Sequence, residues 1–153
     1  MPTHYLSIDV GSTSVTALII DIEAKSVVGS STIANNAEIT SPQDKKRGRS
    51  EWDLVRMTDL AVTNAANLIS STKTQPAAIG ITGQQQGLQL LDKDLNTVGN
   101  FISWQDQRSK DPLPGSSSGE NRTYLDAMGE LGGAVTEENG LPAFDNTGCP
   151  IVT

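Results

Sequence analysis

Cysteine is almost absent from this sequence, since Cys149 is the single cysteine among 153 residues. One cysteine excludes an internal disulfide framework and a cysteine-rich zinc site. Aromatic residues make up only 4% of the chain, and no apolar run approaches the length that crosses a bilayer. The first residues also lack the basic start and apolar stretch of a signal peptide. We therefore expect a cytoplasmic protein with no membrane partner.

Positive charge is scarce as well. Eleven Lys and Arg residues stand against 18 Asp and Glu residues, which gives a formal net charge of −7. Nothing in such a chain would neutralise the phosphates along a nucleic-acid backbone, so we expect no nucleic-acid partner. A single nucleotide remains compatible with this charge, because a local loop of hydrogen-bond donors is enough to bind its phosphates.

The pattern of apolar and turn-forming residues predicts an α/β fold. Six short stretches rich in apolar and β-branched residues predict strands, the first three as an antiparallel meander. They lie at 5–10, 15–22, 27–33, 77–82, 88–91 and 101–104. A polar loop over 34–50 precedes a helix that starts at the N-cap Asp53 and ends near residue 72, and a short helix is predicted at 123–131. This order of elements favours a mixed sheet with flanking helices.

The sharpest local feature is the polar segment 9–14 (DVGSTS) between the first two predicted strands. Gly11 can adopt a positive φ, the hydroxyls of Ser12 and Thr13 can donate to phosphate oxygens, and successive N–H groups can form an anion-binding concavity. Asp9, at the strand end, is placed to hold Mg²⁺ directly or through water. The segment is neither a Walker loop, which ends in Gly-Lys-Ser/Thr, nor a dinucleotide fingerprint, which a helix follows. An ordinary hairpin turn is the alternative interpretation.

Five segments, read in order, resemble the FGGY family of carbohydrate kinases. They are 9–14 (DVGSTS), 48–53 (GRSEWD), 79–87 (IGITGQQQG), 101–108 (FISWQDQR) and 146–150 (NTGCP). Residues 5–109 match best, and 110–153 read as a loop-rich continuation. The resemblance implies a ribonuclease H-like lobe of the actin-like ATPase type. It also implies transfer of the γ-phosphoryl group of ATP, with Mg²⁺, to a sugar or polyol hydroxyl. Xylulose or another pentulose is the first expectation for the substrate, and the family often forms homodimers.

The resemblance also assigns roles to individual residues. Asp9 matches the family's metal-linked aspartate, and Gly11, Ser12 and Thr13 match its phosphate contacts. The predicted substrate-binding residues are Gln84, Gln85, Gln86, Trp104, Asp106 and Arg108. The pair at 85–86 departs from the Arg-Glu of glycerol kinases and from the Met-His of xylulose kinases. Two amides can donate and accept, so they suit a polyol without identifying one. For Trp104, a position in the core is the alternative.

The family's catalytic aspartate lies later in the first lobe, and its adenine pocket lies in a second lobe. Both are expected beyond residue 153, so residues 1–153 read as an incomplete first lobe that carries no catalytic residue of its own. We expect this chain to be inactive alone and to be part of a longer two-lobed enzyme. The alternatives are a truncated, non-catalytic remnant or a sugar-binding module. A different actin-like ATPase is disfavoured by the sugar-site pattern in 84–87 and 104–106.

Overall fold

The computed structural model describes residues 3–84, 86–115 and 122–131, without the side chains of 128–131. In chain order the strands are β1 (His4–Val10), β2 (Ser14–Asp21), β3 (Ser26–Ala34), β4 (Glu51–Trp52), β5 (Ala78–Gly83), β6 (Leu88–Leu91) and β7 (Thr97–Ile102). The helices are α1 (Pro42–Lys46), α2 (Leu54–Thr72) and α3 (Tyr124–Leu131), with a 3₁₀ turn at Arg108–Lys110. These elements form two compact units, residues 1–38 with 53–85 and residues 39–52 with 86–153. Among the described residues, no helix is long and apolar enough to cross a bilayer.

The first unit is a four-stranded mixed sheet with strand order β3-β2-β1-β5. β1 pairs antiparallel with β2 and parallel with β5, and β2 pairs antiparallel with β3. Side chains alternate between the two faces of a strand, so one face of β1 and β2 is apolar and packs against α2. Its core residues are Leu6, Ile8, Val15, Ala17, Ile19, Ala61, Ala65 and Leu68. The mixed sheet and its flanking helix confirm the predicted architecture of this part.

Helix α2 begins where the sequence predicts. The Asp53 carboxylate accepts a hydrogen bond from the Arg56 N–H at 3.0 Å, which satisfies one of the free donors of the first helical turn. The helix ends at Lys73, which adopts the left-handed conformation with φ of 53°. The buried face also contains Asn64, whose Nδ2 donates to the carbonyls of Val15 and Ser31 at 3.2 and 3.1 Å. This amide therefore links α2 to two neighbouring strands.

Strand β5 lies at the end of the strand order of its sheet. In the register with β1, Ile79 is opposite Leu6 and Ile81 is opposite Ile8, so these isoleucines lie on the face that carries α2. Helix α2 nevertheless contacts mainly β1, β2 and β3. Within the described residues, Ile79 and Ile81 remain 59% and 74% exposed. The sheet thus carries an apolar strip beside its covered core.

The second unit contains a small antiparallel sheet with strand order β4-β7-β6. Trp52 in β4 is 3% exposed, and its indole Nε1 donates to Ser50 Oγ at 3.1 Å. The turn between β6 and β7 is held by Asp92, whose Oδ1 accepts from the N–H groups of Asp94 and Asn96, both at 2.9 Å. Because Trp52 is buried and its indole N–H has a partner, it is a packing residue of this unit.

Two sequence-based expectations about the second unit were wrong. The polar stretch 34–50 was expected to be loop, but it contains α1, because Ser41 accepts from the Asp44 N–H and Pro42 occupies the start of the helix. The last strand was expected at 101–104 but runs over Thr97–Ile102. Gly99 has a φ of 74° there, so the strand continues through a position that reads as a break in sequence.

Candidate functional site

The loop between β1 and β2 belongs to the first unit and joins the ends of a hairpin. Val10 pairs with Val15, and the Gly11 N–H donates to the Ser14 carbonyl at 3.0 Å. A Cβ at Gly11 would lie 3.2 Å from that same carbonyl oxygen, so a side chain there would crowd the turn. The loop is therefore a closed turn, and its Gly11 N–H is already used.

The next two residues of the loop keep their backbone N–H donors available. Among the described residues, the N–H groups of Ser12 and Thr13 have no hydrogen-bond partner. Thr13 is exposed and Ser12 is half-buried. Both residues also bring a hydroxyl group, so the turn presents up to four donors to solvent.

Asp9 lies at the carboxyl end of β1, and its side chain is exposed. In the sheet it is opposite Thr16 of β2 and Thr82 of β5, on the face away from α2. No group of three or more His, Cys, Asp or Glu side chains that could hold a metal occurs in the ranges that the structure describes. A single exposed carboxylate fits Mg²⁺ that keeps several waters and takes its remaining ligands from phosphate. The residues of this turn thus suit a magnesium phosphate group.

Gln84 follows β5 at the same end of the sheet as Asp9, because β1 and β5 run parallel. Its N–H donates to the Val10 carbonyl at 3.0 Å. Its side-chain Nε2 lies 3.6 Å from the sulfur of Met57, and its Oε1 is buried without a hydrogen-bond partner among the described residues. A Cβ on Gly83 would lie 2.9 Å from the Val10 carbonyl oxygen. The glycine before Gln84 therefore allows the close approach of β5 to β1.

The second unit carries Gln86 and Gly87, while Gln85 lies outside the described residues. Gln86 adopts a φ of 59°, in the left-handed region, where a non-glycine residue carries some strain. A Cβ on Gly87 would overlap the ring of Phe101. The predicted substrate loop is thus conformationally restricted at the two residues that follow Gln85.

Asp106 is fully buried in the second unit, and all its bonding capacity faces protein groups. Its Oδ2 accepts from the Ser50 N–H at 2.8 Å, and its Oδ1 accepts from the Arg108 N–H at 2.8 Å. The Arg108 guanidinium adds bonds from Nε and Nη2 at 2.8 and 2.9 Å. Asp106 therefore ties the turn after β7 to the segment before β4, and its predicted contact with substrate stays a prediction.

Arg108 also reaches Glu51 of β4, with Nη2 2.5 Å from Oε1. Glu51 accepts a second bond from Asn100 at 2.8 Å. The bonds from Asn100 and Arg108 lower the pKa of Glu51 below its ordinary value. Burial alone would raise the pKa of Asp106, but the bonds from Arg108 and from the Ser50 N–H outweigh it and lower that pKa. Both carboxylates are therefore held in the charged form.

Trp104 is 40% exposed, unlike the buried Trp52. It stands between Ser103, which is fully buried and shares a 2.8 Å hydrogen bond with Ser50 Oγ, and Gln105, whose N–H donates to Ser103 Oγ at 3.1 Å. The exposure disfavours the alternative of a core position. The indole is carried on a backbone that its neighbours hold in place.

A groove in the second unit lies beside this ion network. The residues that line it are Asp44, Arg49, Glu51, Leu88, Arg108, Ser109, Asp111 and Tyr124. Arg49 forms an ion pair with Asp111 across 62 positions of sequence. Sequence reasoning assigned no site role to Glu51, Arg49 or Asp111, because nothing local in the sequence indicates their partners.

Residues 4–117 match the model of a protein family described as "FGGY family of carbohydrate kinases, N-terminal domain". Comparison with the curated proteins gives no match. Among solved structures, a xyloylose (xylulose) kinase from Brucella ovis is 31% identical with a TM-score of 0.60, covering 70% of this chain and 22% of that one. The xylulose kinase from Rhodospirillum rubrum is 23% identical with a TM-score of 0.61, covering 71% and 22%. Plasmodium falciparum glycerol kinase with ADP is 20% identical with a TM-score of 0.52, covering 84% and 28%.

The mixed sheet and its flanking helix form a lobe of the actin-like ATPase type, with the fold of these kinases. The chain belongs to the FGGY family of carbohydrate kinases, and its residues 4–117 match the N-terminal domain of that family. It spans between 22% and 28% of the length of the three structures named above.

Proposed function

We propose that this chain is the N-terminal part of a longer, ATP-dependent carbohydrate kinase that phosphorylates a hydroxyl group of a sugar or polyol. One observation carries the proposal. In a chain that matches the FGGY N-terminal domain, the exposed Asp9 carboxylate adjoins a turn whose Ser12 and Thr13 N–H groups have no partner among the described residues. Phosphoryl transfer depends mainly on positioning and on compensating the charge of the phosphates. The turn would contribute to both through its N–H donors and through a magnesium ion held at Asp9.

The turn would bind the phosphate groups of ATP. The N–H and hydroxyl groups of Ser12 and Thr13 would donate to phosphate oxygens, and Gly11 would keep the turn closed beneath them. Asp9 would hold Mg²⁺ directly or through water, and the ion would supply neutralising charge to the phosphates. The residue that accepts the proton of the attacking hydroxyl is expected beyond residue 153, so this chain alone is expected to give no turnover.

The sugar would be recognised by Gln84, Gln85, Gln86 and Trp104, with Asp106 and Arg108 in the same segment. The exposed indole of Trp104 offers an apolar face to sugar carbons, and the amides offer donors and acceptors to hydroxyls. Asp106 and Arg108 would act mainly by fixing the turn that carries Trp104. D-xylulose is the first candidate, supported by the 31% identity to the Brucella ovis kinase. A cytoplasmic location and a homodimer complete the proposal.

A titration of the isotope-labelled chain tests this proposal by NMR. With Mg·ATP, we expect shifts of the Gly11, Ser12 and Thr13 amides that Asp9→Asn abolishes. With D-xylulose, gluconate or glycerol, we expect shifts of the Trp104 indole and the Gln86 amide. The buried Trp52 indole serves as the internal control, because it is 3% exposed and should not respond.

The outcomes separate the alternatives. Shifts by both ligands, with no ATP consumption in a coupled assay, support the kinase proposal. Shifts by sugar alone favour a sugar-binding module. Sugar-dependent ATP consumption by the 153-residue chain, lost in Asp9→Asn, would show that the chain builds a complete site and would contradict its role as one part of a longer enzyme. The absence of chemical-shift changes with both ligands would overturn the proposal.

A further inference from the structure

Asn35 follows β3 directly and forms hydrogen bonds with the turn between β1 and β2. It is 8% exposed. Its Nδ2 donates to the Gly11 carbonyl at 2.8 Å, and its backbone N–H donates to the Thr13 carbonyl at 2.9 Å. Its Oδ1 accepts from the Ala37 N–H at 3.2 Å. Both polar atoms of the Asn35 side chain therefore have a partner, and two carbonyls of the turn accept bonds from this residue.

The bond to the Gly11 carbonyl determines where the Ser12 N–H of the turn points. A peptide unit is planar and trans, so its C=O and the following N–H point in opposite directions; none of the described peptide bonds is cis. The Gly11 carbonyl shares its peptide unit with the Ser12 N–H. Holding that carbonyl against the buried Asn35 amide therefore turns the Ser12 N–H away from Asn35.

We propose that Asn35 is a positioning residue that aims the Ser12 N–H at the phosphate of the bound nucleotide. This inference rests on the proposed function, and it adds a residue that acts through the turn without touching the ligand. Asparagine suits the position because it donates to Gly11 and accepts from Ala37 at once. An aspartate has the same shape but offers only oxygen atoms to the Gly11 carbonyl, and two acceptors face each other unfavourably in a buried place.

Asn64 provides a matched control in the same unit. It is 3% exposed, and its Nδ2 also donates to backbone carbonyls, those of Val15 and Ser31. Its Oδ1 accepts from Ser31 Oγ at 2.6 Å. Asn64→Asp is therefore the same chemical change at an equally buried amide, but its bonds do not involve the Gly11 or Thr13 carbonyl. Both variants should lower the thermal midpoint of the chain.

The test is an NMR titration of the 153-residue chain with magnesium tripolyphosphate, which carries the phosphates without the adenine. For Asn35→Asp we expect a dissociation constant weaker by about tenfold, because fewer molecules hold the turn in its binding conformation. For Asn64→Asp we expect a constant within about twofold of the wild type. Equal binding by Asn35→Asp and the wild type, or equal weakening by Asn64→Asp, would overturn the inference. Asn35→Ala repeats the comparison without an added charge if Asn35→Asp does not fold.

Acid pH supplies a further comparison between the two variants. When the carboxyl introduced by Asn35→Asp becomes protonated, its O–H can donate to Gly11 again. The affinity of this variant relative to the wild type should then rise as the pH falls, and that of Asn64→Asp should not. A ratio that stays constant with pH counts against the inference.

Failure of the proposed function is distinguishable from failure of this inference. If magnesium tripolyphosphate shifts no amide of the wild type, the phosphate role of the turn is wrong. Spectra recorded without ligand then still test the role of Asn35. If Asn35 positions the turn, Asn35→Asp must shift the Ser12 amide signal and accelerate hydrogen exchange at the Gly11 amide. Unchanged ligand-free signals would reject that role as well.

Discussion

The guanidinium of Arg108 bonds both oxygens of the buried Asp106 carboxylate, through Nε at 2.8 Å and Nη2 at 2.9 Å. The same guanidinium pairs with Glu51, so one partly exposed arginine compensates two carboxylates. Because Asp106 is fully buried, it depends on this partner and on the N–H of Ser50. The pair therefore fixes the turn after β7 on the segment that leads into β4.

Removing the positive charge should destabilise the second unit. Arg108→Gln leaves the buried Asp106 charge without its main partner, and we expect a loss of about 3 kcal/mol in the free energy of unfolding. Lys110→Gln removes the same charge from an exposed side chain of the same 3₁₀ turn, and it should cost less than about 0.5 kcal/mol. Urea unfolding followed by tryptophan fluorescence measures both, because Trp52 and Trp104 belong to the second unit. Equal losses in the two variants would contradict the prediction.

The same network predicts a pH dependence. Because the folded-state pKa values of Asp106 and Glu51 are lowered, their contribution is complete above the unfolded-state values of about 4. It is lost as the pH falls through the lower, folded-state values. The difference in unfolding free energy between the wild type and Arg108→Gln should therefore be constant from about pH 7 to 5 and shrink below about pH 4. A difference that grows on acidification would show that these carboxylates are not held charged by Arg108.

Two glycines of β5 should differ in their tolerance of alanine. Gly83→Ala places a methyl group 2.9 Å from the Val10 carbonyl oxygen and should cost about 1–3 kcal/mol. A Cβ at Gly80 meets nothing within 4 Å, so Gly80→Ala should be neutral or stabilise by up to about 1 kcal/mol. Hydrogen exchange of the Gln84 amide, which bonds Val10, should accelerate only in Gly83→Ala. Unchanged exchange there would show that β5 does not need the close approach.

Local patterns predicted much of the first unit. The alternation of Leu6 and Ile8 with polar neighbours indicated β1, and the structure places both side chains in the core. Asp53 predicted the start of α2 because an N-cap is a short-range interaction, and its carboxylate does bond the Arg56 N–H. These elements are encoded within a few residues, so sequence reasoning was sufficient for them.

The missed features depend on partners that are distant in sequence. Arg108 was predicted as a site residue, but its bond to Glu51 was not, because the two are 57 positions apart. Strand β4 is only two residues long, too short to give a local pattern. Asn35 lies 24 positions from Gly11, and nothing in its neighbouring sequence indicates that it bonds to this turn. The exposed Asp9 and the available donors of Ser12 and Thr13 agree with the loop that the sequence indicated, while ligand binding there stays a prediction.

The exposed Ile79 and Ile81 have a practical consequence for the chain in solution. They belong to an uncharged strand rich in β-branched residues, and within the described residues no strand pairs with its outer edge. Such a strand is a template on which further copies can add. The fraction of monomer should therefore fall as the protein concentration rises, even where the chain stays folded. Ile81→Lys would place a charge on this strand and so oppose the addition of further copies. The new side chain would lie on the other face of the sheet from Asp9.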